Sequence, residues 1–181
     1  MNKNNFSNFI KIIEAGNRPS GGVDYDSGTI PSFGGENILM TGGIIYEPVK
    51  LIPKEFFICM NRGILKQNDV LINKDGANTG KVGFYKSIRY TDAAINEHLF
   101  LLRSKETELF NKYLFYLFLS EFGQKQIKSR ITGSAQPGLN CDFIYHLKFN
   151  LPPLSHQRKI ARILTTIDNV IEKTEEAIAK Y

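Results

Sequence analysis

A chain of 181 residues with 42% hydrophobic and 12% aromatic residues can bury one good core plus an appendage, which excludes a disordered protein. The formal net charge of +5 suits an anionic partner, nucleic acid being the commonest, and the excess sits in the body: residues 1–150 hold 18 basic and 14 acidic side chains. Cys59 and Cys141 are too few for a disulfide framework or a zinc site and read as two buried free thiols in a reducing compartment.

The first five residues, Met-Asn-Lys-Asn-Asn, lack the apolar core of a signal peptide. The longest apolar block, residues 113–119, is far too short to span a bilayer, so a cytoplasmic chain is expected. Residues 1–60 read as short strands punctuated by Gly21-Gly22, Gly28, Gly34-Gly35 and Gly42-Gly43. Residues 69–73 predict a strand, 74–81 a glycine-bearing loop and 82–85 a returning strand, together a hairpin. Residues 93–102 predict a further extended run, with Glu97-His98 inside it as a strand pair. Residues 108–122 predict a helix presenting Leu109, Tyr113, Tyr116, Leu117 and Ser120 on one face, with Gly123 as its stop. That helix is apolar nearly all round, so its Phe and Tyr residues are expected to pack in the core rather than stack on bases. Many strands with one interior helix predict an α+β fold.

Beyond the loop 133–139 come a short segment 143–147, a strand-like 148–151 and a stop at Pro152-Pro153. A long charged helix follows, its apolar residues Ile160, Leu164, Ile167, Ile171, Thr174 and Ile178 falling at alternating spacings of four and three. Ile163, Val170 and Ala177 widen that seam, and Arg158, Lys159, Arg162, Asp168, Glu172, Lys173, Glu175 and Glu176 fill the other positions. The seam fits packing against a helix of another chain or repeat; the plainer reading is a helix folded back on its own domain. At ~1.5 Å per residue, residues 155–181 would reach roughly 40 Å.

No catalytic constellation emerges. Residues 76–82 imitate a phosphate-binding loop but are one residue short between the glycines, and Val82 stands where Ser or Thr would reach magnesium. Residues 150–154 lack the aromatic of an amino-methyltransferase loop, and no glycine-rich cofactor motif precedes them. His98, His146 and His156 are isolated from one another and from cysteine, so neither a metal site nor a general base is expected. The chain reads as a non-catalytic binding module.

Several segments together carry a family resemblance: Ala15-Gly16-Asn17-Arg18-Pro19-Ser20-Gly21-Gly22 with Gly28-Thr29-Ile30-Pro31-Ser32; Val70 to Ala77 with Gly80-Lys81-Val82-Gly83; Asn96-Glu97-His98; Gly133-Ser134-Ala135-Gln136-Pro137-Gly138-Leu139; and Pro152-Pro153-Leu154-Ser155-His156-Gln157-Arg158-Lys159-Ile160-Ala161. In this combination the chain resembles the DNA specificity (S) subunits of Type I restriction-modification systems, with His156 standing where Glu is usual. The resemblance implies a target recognition domain over 1–151 and a spacer or dimerisation helix over 152–181. It also implies binding of double-stranded DNA without enzymatic activity or a cofactor of its own. Methylation (M) and restriction (R) subunits would be the partners, bringing S-adenosylmethionine, ATP and Mg. A full S subunit carries two recognition domains and this chain one set, so it is either a fragment or a half-subunit that forms a homodimer through the terminal helix. Under that implication Lys74, Lys81, Lys125, Lys128 and Arg130 are phosphate candidates, and Arg18, Asn78, Thr79, Ser134 and Gln136 are candidates for base edges or orienting contacts. A non-catalytic assembly module that dimerises through the helix is the alternative.

Overall fold

Strands β4 (Val70–Asn73) and β7 (Leu99–Ser104) are apolar at nearly every position because both of their faces are covered. Side chains alternate across a strand, so Val70, Ile72, Phe100 and Leu102 enter one core while Leu71, Leu99 and Leu101 enter another. The computed structural model describes residues 5–86 and 89–180. The signal-peptide reading of the first residues and the last residue of the expected helix, Tyr181, therefore fall largely outside it.

With β1 (Ile10–Ala15) and β5 (Val82–Phe84) at the edges, the main sheet runs β1-β7-β4-β5, antiparallel throughout. A second sheet has β2 (Ile30–Phe33) at its centre, antiparallel to β3 (Lys50–Ile52) and parallel to β6 (Ala94–Ile95). Phe33, Ile95 and Tyr85 join Leu71 and Leu101 in the core between the sheets. The other face of the main sheet is covered by α2 (Asn111–Leu119), with α3 (Glu121–Lys128) beside it and the start of α4 (Leu154–Ile178) across it. The short α1 (Lys54–Cys59) and the two-residue pair β8 (Ile131–Thr132) and β9 (Gly138–Leu139) complete the α+β body. Gly16 explains the first motif: a Cβ there would lie 2.0 Å from the Ile95 carbonyl oxygen, so only glycine lets the chain leave β1 across β6.

Tertiary contacts override several expectations. The expected helix over 108–122 is two helices, because Ser120 adopts an extended backbone and its Oγ accepts the Gly123 N–H at 3.1 Å, capping α3. Gly123 is thus inside α3 rather than a stop; a Cβ on it would lie 2.0 Å from the Leu117 carbonyl oxygen. On α2 the buried side chains are Asn111, Leu114, Phe115, Tyr116 and Phe118, whereas Tyr113 and Leu117 are half-buried and Ser120 is exposed. A helix apolar on all sides does not declare its inner face. Its aromatic residues do pack in the core, as expected.

Glu97-His98 is a turn, not a strand pair. Asn96 Oδ1 accepts the His98 N–H at 3.0 Å and breaks the extended run into β6 and β7. Residues 148–151 form no strand either. The Gln126 amide takes the place of a strand neighbour, accepting from Lys148 N at 2.7 Å and donating to Lys148 O at 2.9 Å, while Phe149 packs on Phe6. Both cysteines are exposed, contrary to expectation: Cys59 ends the surface helix α1, and Cys141 opens a 3-10 turn.

The terminal helix divides along its length. Its first turns dock on the body through Gln157 and Ala161, both buried, and the half-buried Leu164. Farther along, Tyr116 Oη donates to Asp168 Oδ2 at 2.5 Å, so Asp168 is not a purely solvated charge. Ile163, Ile167, Val170, Ile171 and Ile178 are about half or more exposed, and Ile160 is 38% exposed.

Gln157 anchors the junction. Its Oε1 accepts the Phe110 N–H at 3.0 Å, and its Nε2 donates to the carbonyls of Glu108 at 3.0 Å and Pro152 at 2.9 Å. Replacement by Leu leaves three partly buried backbone groups without their partner. Gln157→Leu should lower stability by about 2–4 kcal/mol, read as a lower urea midpoint at unchanged m.

Candidate nucleic-acid interface

The hairpin loop 74–81 and the loop 133–139 lie 52 or more residues apart in the chain and form one unit in space. Asp75 and Gly138 form a bridge, Gly76 N donates to Pro137 O at 3.0 Å, and Leu139 N donates to Lys74 O at 2.6 Å. Thr79 Oγ1 donates to Gly76 O at 2.6 Å and also reaches Pro137 O at 3.2 Å, so it orients both loops. Gly76 and Gly80 take positive φ, 77° and 92°, which lets the tight hairpin close. Helix α3 joins them: Gln124 Nε2 donates to Gly80 O at 3.1 Å, placing Lys125 and Lys128 on the same helix and Arg130 just beyond it.

Nine of the ten expected DNA-contacting residues thus belong to three segments joined by hydrogen bonds: Lys74, Asn78, Thr79 and Lys81; Ser134 and Gln136; Lys125, Lys128 and Arg130. Ser134, Gln136, Lys125, Lys128 and Arg130 are exposed. Lys125 pairs with Glu121 one turn away at 2.9 Å, a solvent-screened contact. Lys81 Nζ reaches the Ile38 carbonyl at 3.4 Å.

Arg18 stands apart in sequence but is linked through charge. Its Nε lies 3.0 Å from Glu97 Oε1; His98 Nε2 approaches that oxygen at 3.3 Å, and His98 Nδ1 lies 2.6 Å from Asp75 Oδ1. Lys74 Nζ pairs with the other oxygen of Asp75 at 3.2 Å. This relay borders a polar cavity of ≈ 570 Å³ lined by Arg18, Tyr25, Glu36, Lys50, Glu97 and His98, among others. Sequence reasoning missed Asp75, Glu97 and His98 as site elements. The signal was present, since a polar pair inside an apolar run marks a turn that presents side chains. At the other end of β4, Arg103 forks onto Asp69 at 2.6 and 2.7 Å and holds the Ile64 carbonyl. Burial pushes the Asp69 carboxyl above its usual value, with the Arg103 and Lys66 hydrogen bonds opposing, so this pair locates the 64–66 segment more than it stabilises the fold.

Among the described residues no group of three or more His, Cys, Asp or Glu is placed to hold a metal ion, and no helix is long and apolar enough to cross a membrane.

The model of the Type I restriction modification DNA specificity domain matches residues 4–180. The chain belongs to this family. It is 28% identical over 145 residues to the Type I restriction enzyme MjaVIII specificity subunit of Methanocaldococcus jannaschii, an alignment covering 77% of this chain and 34% of that protein. It is 42% identical over 76 residues to the putative type I restriction enzyme MjaX specificity subunit of the same organism, covering 41% of this chain and 18% of that protein. Among solved structures, the S subunit of a Type I system from M. genitalium superposes with TM-score 0.63 at 13% identity, over 96% of this chain and 41% of that one. The HsdS subunit from Thermoanaerobacter tengcongensis gives TM-score 0.63 at 19% identity, over 96% and 38%. A chain from a type I R-M system studied for its complex assembly and conformational transition gives TM-score 0.68 at 19% identity, over 97% and 40%. The chain thus spans about a third of the length of the first curated relative.

Because Thr79 ties the two loops, Thr79→Val should loosen both without unfolding the sheet. Faster amide exchange at Gly76 and Leu139, with exchange in β4 and β7 unchanged, is the expected pattern.

Proposed function

We propose that this chain reads one half of a bipartite double-stranded DNA site as the specificity component of a Type I restriction-modification complex. Membership of the specificity-domain family supports the role, and the joined loops 74–81 and 133–139, beside the exposed Lys125, Lys128 and Arg130, carry it to particular residues. Lysines and arginines grip phosphates in register, and short polar side chains such as Asn78, Ser134 and Gln136 suit base edges. The chain itself performs no catalysis and holds no cofactor. M subunits would bring S-adenosylmethionine and adenine methylation, an R subunit would bring ATP and Mg chemistry, and the complex would work in the cytoplasm.

The exposed apolar stripe of α4 adds a second element to this reading. Ile160, Ile163, Ile167, Val170, Ile171 and Ile178 would cost hydration if left uncovered, and a copy of the same helix supplies a matching stripe. A homodimer through α4 then holds two recognition domains at a fixed separation and reads a palindromic bipartite site. The same stripe is the observation favouring the assembly-module alternative.

Selection of bound duplexes from a random pool, with M subunit present at near-physiological salt, tests this function. Two inverted identical half-sites at a fixed gap are expected; the absence of any enrichment would transfer the assignment to an assembly module. Two variants separate the parts. Lys128→Ala with Arg130→Ala should reduce the salt slope of DNA binding by about 2, one unit per phosphate contact. Ile167→Asp with Ile171→Asp should abolish self-association by analytical ultracentrifugation and leave the thermal unfolding of the body unchanged, because both side chains are about half exposed.

A further inference from the structure

The loop between Ile38 and Ile44, which form a bridge, is a tight turn closed by Leu39 N to Gly43 O at 2.9 Å and Gly42 N to Leu39 O at 3.0 Å. It is clamped to the edge strand β5. Gly42 O accepts the Phe84 N–H at 3.3 Å, and Gly42 sits so close to the Phe115 ring that a Cβ would lie 2.6 Å from Cζ. Despite this rigid seating, Leu39 is 43% and Met40 73% exposed, Met40 being the most exposed of the large hydrophobic side chains among the described residues.

Lys81 touches the base of this tip, and Lys112 sits on the rings that support it. Lys81 Nζ donates to the Ile38 carbonyl at the base of the loop. Lys112 Nζ lies 3.9, 4.8 and 5.2 Å from the ring centroids of Phe84, Phe115 and Tyr116, the first two of which support Gly42 through backbone or ring. Lys86 follows Phe84 by two residues and acts electrostatically on Lys112. Lys112 is therefore held on an aromatic support at the β5 edge where the tip is seated, and Lys86 continues the chain from that same edge. An anion between the ammonium groups removes their repulsion, and an apolar surface next to that anion covers the methionine. A nucleic-acid duplex presents this combination, with phosphates alongside groove walls that carry base edges and thymine methyl groups.

We propose that the 38–44 tip with Lys81, Lys86 and Lys112 forms a phosphate-and-groove contact for duplex DNA, extending the reading surface along the β5 edge. Lys86 and Lys112 hold backbone phosphates, and Met40 lies against the base edges. The inference rests on the DNA-reading function and adds residues that function does not require.

Lys112 gives the site a pH signature. Burial first, then Lys86, lowers its pKa to about 8, with Asp168 opposing; Lys86, Asp168 and Tyr116 are the titratable groups facing it. A bound phosphate favours the charged amine, so above pH 8 binding must take up a proton, and affinity should fall by up to tenfold per pH unit.

Fluorescence anisotropy of the full chain with a labelled mixed-sequence duplex, over a series of salt concentrations and from pH 7 to 9.5, tests the proposal. Lys86→Ala and Lys112→Ala should each lower the salt slope by about 1. Lys112→Arg should keep the slope and remove the loss of affinity above pH 8. Met40→Ala should weaken binding to the duplex enriched by selection about tenfold at unchanged slope. If Lys112→Ala does not fold, Lys112→Arg and the exposed Lys86 decide. Wild-type binding with normal salt dependence but unchanged slopes in Lys86→Ala and Lys112→Ala overturns this contact and leaves the DNA-reading function standing. No salt-dependent binding by the wild type overturns both.

Discussion

A single buried amide, that of Gln157, governs how the two halves of this molecule meet. Its carbonyl oxygen and amino group satisfy one backbone donor and two backbone acceptors in the segments that lead into α2 and α4. These are partly buried groups to which an apolar side chain offers nothing. Ala161 next to it lets the helix come close, and Arg158 lies over the Phe110 ring at 4.6 Å. The direction in which α4 leaves the body is therefore set within its first two turns. The Tyr116–Asp168 hydrogen bond, some three turns farther on, repeats the constraint. From residue 169 to 180 every residue is exposed, Val170, Ile171 and Ile178 among them.

The proposed reading surface follows the same economy of tethers. Its loops are irregular, yet each is fixed by hydrogen bonds to another: the hairpin to the 133–139 loop through the backbone and the Thr79 hydroxyl, and the hairpin to α3 through the Gln124 side chain. Loops held this firmly give up little conformational freedom on binding. The relay from Arg18 through Glu97, His98 and Asp75 to Lys74 sets acidic groups among the basic ones. Such mixing orients the cations and discourages indiscriminate attachment to any anion.

The elements legible from sequence were those whose identity depends on local pattern. The β4–β5 hairpin was marked by Gly76 and Gly80 between two apolar runs, and α4 by its heptad spacing after Pro152-Pro153. Segments whose state depends on distant partners were not legible. Residues 148–151 look like a strand but meet the side chain of Gln126 instead of a neighbouring strand. Gly123 looks like a helix stop but serves a close crossing with Leu117. Cys59 and Cys141, small and apolar enough for a core, lie outside because nothing in their own residues says which side of an element faces in.

The sequence by itself determined the fold class, the order of hairpin, core helix and long terminal helix, and the family, because periodicity and short motifs are local properties that survive without a partner. Only the tertiary structure decided that loops more than 50 residues apart form one surface. It alone also showed that α4 spends its first face on α2 and keeps a second one bare, and that Lys112 and the 38–44 turn both sit against Phe84 at the β5 edge. These depend on which faces come together when the core closes, and that choice is made by packing across the chain rather than along it.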